Sequence, residues 1–158
     1  MRKFAANYIV SETGVFLKNG IAIAQDDGTV LRIIDTKGDL QETEQLIFYN
    51  GILMGGCSYS KANTTTAISE ADYPFRSFVL QSVAGITHFS IQNLIDLGKQ
   101  AQVQFPEMKI PEILNEISEG LLTNGRYTKE NVTGIYLLNG ADLFTLRFTP
   151  KSRLKRIL

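Results

Sequence analysis

The stretch FYNGILMGGCSYSKAN, Phe48 to Asn63, is where the chain changes character. Before it, apolar and β-branched runs alternate with short turn signals. Within it, LIFY and ILMGG flank Asn50-Gly51, which reads either as one more strand pair or as a single bent strand. After Gly55-Gly56 the chain becomes polar, and beyond Pro74 its apolar spacing turns helical. The fold class follows from that sequence of changes.

Upstream, FAANYIV reads as a strand, and GVFLKNGIAIAQDDGTVLRIID carries two hairpin signals. Asn19-Gly20 separates VFLK from IAIAQ, and Asp27-Gly28 separates that run from TVLRII. Asn-Gly and Asp-Gly supply the positive φ angles of tight hairpin turns. KGDLQETEQ is a polar connection.

Downstream, residues 57–74 form a polar connector, with Ser69 as a candidate helix cap before Pro74. Residues 75–125 show helical spacing. Phe75, Phe78, Val79, Ser82 and Val83 share one face of a first helix. Ile91, Leu94, Ile95 and Gly98 share a face of a second, with Ser90 as its candidate cap. In a third, Ile110, Ile113, Leu114, Ile117 and Leu121 form a stripe, with Pro111 in the first turn and Asn124-Gly125 at the end. A last turn capped by Thr128 follows, and residues 133–158 return to β, with two strand-like runs around Asn139-Gly140 and a final strand in SRLKRIL. The expectation is one α+β domain over residues 1–158: strands in 1–56, the connector, about three helices, and returning strands that join the first ones in a single sheet system.

Bulk properties exclude several functions. Sixteen basic and sixteen acidic residues cancel, so no global basic field points to nucleic acid or a membrane surface. A neutral total favours self-association. One cysteine rules out an intrachain disulfide and any CxxC zinc site. MRKFAANYIVSETG has no apolar run of signal-peptide length, and no stretch reaches the ~20 apolar residues of a membrane span. The expected setting is cytoplasmic.

Chemistry-bearing residues are sparse. Cys57 after the Gly pair could serve as a nucleophile if the only histidine, His88, acted as its base. A small half-buried cysteine and a linker histidine are the simpler readings. One histidine with scattered carboxylates has no metal-ligand spacing, and Asp26, Asp27, Asp35 and Asp39 fall where turn chemistry places aspartates. No GxGxxG or GxxxxGK[ST] is present, so no phosphate loop or nucleotide cofactor is expected. Arg147, Lys151, Arg153, Lys155 and Arg156 cluster at the C-terminus. They read more simply as a solvated edge strand guarded by charge than as an RNA-binding edge.

The order of these elements resembles a known family. KFAANYIVSETGVFLKNGIAIAQDDGTVLRIIDTKGD, followed by LIFYNGILMGG, resembles the opening of proteins in the metal-dependent amidohydrolase superfamily. There a small β-sandwich, the composite domain, is built from both chain ends and flanks a (β/α)8 barrel. LKNGIAI and DDGTVLRI are similar to its hairpins, and FYNGILMGG to the segment entering the first barrel strand. GIYLLNGADLFTLRFTPKSRLKRIL is similar to the returning sandwich strands. The likeness covers residues 3–56 and, more loosely, 104–158.

Where the family carries its first paired histidines, this chain has Cys57-Ser58-Tyr59-Ser60, and the bridging lysine and later ligands have no counterpart. Only residues 57–103 lie between the matched ends, far short of the ~250 residues of a barrel. The resemblance therefore implies a β-sandwich-like composite domain without the barrel. It implies no metal, cofactor or catalytic residue, and an apolar face that needs a cover. The expected role is non-catalytic association, either as a homo-oligomer, with a dimer favoured, or on a full-length amidohydrolase relative. The alternative is a small hydrolase or transferase using Cys57 and His88.

Overall fold

A computed structural model describes residues 1–11, 15–55, 73–84, 91–123 and 134–158. The strands are β1 (Arg2–Val10), β2 (Phe16–Lys18), β3 (Ile21–Ala24), β4 (Val30–Ile34), β5 (Leu46–Gly55), β6 (Ile135–Asn139) and β7 (Arg153–Arg156), and the helices are α1 (Tyr73–Ala84), α2 (Ile91–Gln104) and α3 (Ile110–Thr123). The class is α+β, with strands at both ends and helices between. All seven strands join one sheet in the order β4-β3-β1-β5-β6-β7, with β2 also on β1. The two chain ends meet where β5 pairs antiparallel with β6, from Ile52↔Leu138 to Gly55↔Ile135. β1 and β5 are parallel, and every other pairing is antiparallel.

Asn19-Gly20 is not a hairpin turn. β2 and β3 both run antiparallel to β1, on its second and first halves respectively, so residues 16–24 form one interrupted strand. Asn19 takes a φ of 53° at the interruption, and its N–H donates to the Asn7 carbonyl (2.9 Å). On the other side of β1 the register with β5 slips between Ala6 and Tyr8. There Gly51 has a φ of 146° and donates its N–H to the Asn7 side-chain oxygen (2.7 Å). Asn7, Asn19-Gly20 and Asn50-Gly51 thus lie side by side on neighbouring strands, at a break between β2 and β3 and at a bulge that sets Asn50-Gly51 of β5 against Asn7 of β1. A bulge bends the strand that carries it. LIFYNGILMG is accordingly one bent strand.

The bend folds the sheet over itself. β4 and β6 are four places apart in the sheet, about 19 Å if it were flat. Yet Val30 and Ile33 of β4 share a core with Ile135 and Leu137 of β6 and with Ile157 and Leu158. A Cβ added to Gly28, in the β3–β4 turn, would lie 2.8 Å from the Gly134 Cα and 3.3 Å from the Leu158 carbonyl oxygen. Phe4, Ala6, Ala22, Ala24 and Tyr49 come from the first half of the fold, and Ile9 and Leu53 from the second, to fill the space between.

The opposite face of the second half takes the helices. Side chains alternate along each strand, so Val10, Ile52, Met54 and Leu138 face away from the inner core. They pack with Phe75 and Val79 of α1, Leu94, Ile95 and Ala101 of α2, and Ile110, Ile113, Leu114 and Ile117 of α3. The apolar face left by the sheet is therefore covered within the same chain. Four members of the expected α3 stripe are fully buried. Glu112 in the first turn of α3 approaches the Lys109 N–H (3.4 Å), a favourable placement at the positive helix end. The Phe105 ring, just past α2, meets Phe75 edge-on at 5.1 Å and Phe78 at 5.8 Å, tying α1 to the α2–α3 turn.

The second strand-like run after Asn139-Gly140 is not a strand. Asp142 and Arg147 form an isolated bridge around a turn in which Leu146 has a φ of 53°. Leu143 and Leu146, three residues apart on the turn, pack on the helical core instead. The candidate caps Ser69, Ser90 and Thr128, the Asn124-Gly125 ending and most of the 57–74 connector lie outside the described residues.

Candidate functional site

Cys57 and His88 both lie outside the described residues. Asp26, Asp27 and Asp35 do what turn aspartates do. Asp26 pairs with Arg2 (3.0 Å) on the surface. Asp27 accepts the Thr29 N–H (2.8 Å), and Asp35 the Lys37 N–H (2.8 Å). The bonds from the Thr29 backbone and hydroxyl hold the Asp27 carboxyl below its usual range. Among the described residues no group of three or more His, Cys, Asp or Glu could hold a metal ion. No described helix is long and apolar enough to cross a membrane.

All five C-terminal cations are exposed, Arg153, Lys155 and Arg156 on β7 and Arg147 and Lys151 in the turns before it, and the Arg156 guanidinium donates back to the Leu158 carbonyl (3.1 Å). β7 pairs only with β6 among the described strands, so it is an edge, and its charges sit where they discourage unwanted pairing.

Sequence reading missed the most distinctive surface. Lys99, Gln102, Val103, Phe148, Thr149 and Pro150 line an open groove of about 180 Å³ between the end of α2 and the segment leading to β7. Two features build it. The Phe148 ring lies flush on α2 at Gly98, where an added Cβ would sit 2.8 Å from the ring. Gln102 staples the α2–α3 turn, its amide nitrogen donating to the carbonyls of Phe105 (3.3 Å), Pro106 (3.2 Å) and Met108 (2.7 Å). Three carbonyl acceptors fix the orientation of that amide. Its oxygen is buried and has no donor among the described residues.

The 142–147 turn, which precedes groove-lining Phe148 in the chain, presents Phe144, which is 97% exposed, and groove-lining Val103 on α2 is 82% exposed. The turn is tightly held. The Asp142 carboxylate accepts the N–H groups of Phe144 (3.0 Å) and Thr145 (3.1 Å), and Asp142 and Arg147 exchange two backbone bonds (2.9 and 3.2 Å). The bonds from Thr145 lead the causes that hold the Asp142 carboxyl below its usual range, with smaller help from Phe144 and Arg147. In sequence Phe144 sits among leucines in an alternating run, and nothing local marks it as the exposed member. The described surface here combines an exposed phenyl, a largely apolar groove and the Lys99 side chain at its lining. Comparison with known protein families, with curated proteins and with solved structures returns no match to this chain.

Proposed function

We propose that this protein is a non-catalytic relative of the metal-dependent amidohydrolases, reduced to the sandwich-like composite domain and a helical layer, and that it acts through protein–protein association. The observation that carries the association is the exposure of two large apolar side chains, Phe144 on a hydrogen-bonded turn and Val103 at the lining of a largely apolar groove. Isolated exposed apolar residues are ordinary, and what supports the reading is that Phe144 stands on a backbone fixed by the Asp142 carboxylate, so little backbone freedom would be lost in a contact. The kinship is supported by the joining of both chain ends in one sheet, folded over an inner core much as the two layers of a small sandwich enclose theirs. The three helices α1, α2 and α3 cover the outer face in cis. Association therefore serves recognition, by a second copy or by a full-length amidohydrolase of the same cell, rather than hiding an orphaned sheet face.

The test combines metal analysis, an amide-hydrolysis screen and sedimentation, alone and with that full-length relative. The reading predicts no stoichiometric metal, no turnover, and a self- or mixed complex. A strict monomer that ignores the relative, binds one equivalent of zinc and hydrolyses an amide would sink it.

A further inference from the structure

We propose that Asn139-Gly140 is a site of spontaneous covalent modification, where the Asn139 side-chain amide is lost to ring closure and the chain is left with aspartate or isoaspartate. The proposal goes beyond the association reading above and does not depend on it.

The chemistry makes two demands. The backbone nitrogen after an asparagine must be free to give up its proton and reach the side-chain carbonyl carbon. The residue that owns this nitrogen must not block the approach, and glycine, with no Cβ, blocks it least. The chain has four Asn-Gly pairs, beginning at Asn19, Asn50, Asn124 and Asn139. Asn124-Gly125 lies outside the described residues, and the structure separates the other three.

Gly51 is buried, and its N–H is committed to the Asn7 side-chain oxygen (2.7 Å). Gly20 is also buried, and the Asn19 amide nitrogen donates to the Gly38 carbonyl (3.0 Å), which ties the group that would react. Asn139 and Gly140 are both exposed. Among the described residues the Gly140 N–H has no backbone acceptor and the Asn139 side chain has no partner. Asn139 is the last residue of β6, so only its terminal pairing with Arg153 has to loosen. Arg153, as register partner, also brings a cation to the same face of the sheet. That charge favours the negative charge that builds up during ring closure.

The step needs only water. Solvent base takes the Gly140 N–H proton, the nitrogen bonds to the Asn139 side-chain carbonyl carbon, and the bond from that carbon to the amide nitrogen breaks, releasing ammonia. Water then opens the cyclic imide at either carbonyl. One opening gives aspartate. The other gives isoaspartate, whose main chain runs through the side-chain carbonyl and is longer by one methylene. The structure leaves little room for that methylene. A Cβ built on Gly140 would collide with the Lys151 carbonyl, and the Gly140 carbonyl accepts the Thr149 hydroxyl. Thr149 lines the groove against α2, so isoaspartate here shifts the segment that shapes that surface.

Peptide mapping by mass spectrometry tests this on the full chain held in warm, mildly alkaline buffer, folded and in urea. A hydrogen bond that must open first slows a reaction by roughly 2- to 10-fold. In the folded protein Asn139 should therefore deamidate at least about threefold faster than Asn19 or Asn50, and in urea the three rates should converge. Asn139 reacting no faster than the other two when folded overturns the site. A lead that persists unchanged in urea also overturns it, because local sequence rather than the fold would then set the rate. The isoaspartate form, separated by chromatography, should melt below Asn139→Asp, which carries the same charge on a main chain of normal length. Equal melting temperatures would overturn the effect on the 140–152 segment.

Discussion

Replacing Gly51 with alanine attacks the line along which the sheet folds. Two effects add. The backbone at Gly51 has a φ of 146°, a region that L residues avoid, and holding alanine there costs about 2 kcal/mol. The new Cβ would lie 2.5 Å from the Leu138 carbonyl oxygen and 3.1 Å from a Leu137 methyl. The β5–β6 pairing must open to admit it, at about another 2 kcal/mol. The total of about 4 kcal/mol is a large share of the 5–15 kcal/mol that holds an ordinary domain together. Gly38→Ala is the matched control. Gly38 also has a positive φ, 84°, but nothing lies within 4 Å of an added Cβ, so it should lose only about 1 kcal/mol. Urea unfolding followed by circular dichroism measures both. Equal losses at the two positions would refute the claim that β5 is pressed against β6 at a built bend.

Asn7→Leu removes the acceptor for the Gly51 N–H and should destabilise by about 1–3 kcal/mol, read as a lower urea midpoint at unchanged slope. Phe148→Ala empties the ring site over α2 and should cost about 3–5 kcal/mol. Gly98→Ala alone should also destabilise, and adding it to Phe148→Ala should cost far less than the sum, because the ring it would meet is gone. The Asp142 carboxyl is held below its ordinary 3.8 by the turn it caps. Its contribution is therefore complete above that ordinary value and is lost as pH falls through the lower folded-state value. Asp142→Ala should weaken the protein near neutrality and flatten its acid unfolding limb below pH 3.8, whereas a parallel acid limb would contradict the role of the carboxylate in that turn.

Much of the architecture is legible in the sequence, and the failures have a common physical origin. The α3 stripe is readable because one helix face meets one core, so local spacing carries the information. Asp27-Gly28 is a true hairpin turn, with Gly28 N–H on the Gln25 carbonyl (3.0 Å). Asn19-Gly20 carries the same local signal, yet the residues on either side of it keep one register on β1, so the strand is interrupted there rather than reversed. Both dipeptides encode positive φ, but whether the chain reverses or merely bends depends on β1, which both flanking segments use as partner. DLFTLRF alternates like a strand, and its fate is decided by the carboxylate of Asp142 and by the helical core that receives Leu143 and Leu146. The groove was invisible for a similar reason, since α2 and the 148–150 segment are brought together only by tertiary packing around Gly98.

The kinship proposed above depends on the sheet folding along Asn7, Asn19-Gly20 and Asn50-Gly51 to bring the β3–β4 turn onto the C-terminus. A through-space proton NMR experiment on the labelled full chain measures this directly. The account predicts strong cross-peaks between the α-protons of Gly28 and Gly134, and between Gly28 and Leu158. If both glycines are assigned and Gly28 shows contacts only to its own hairpin, the sheet is open and the account is contradicted.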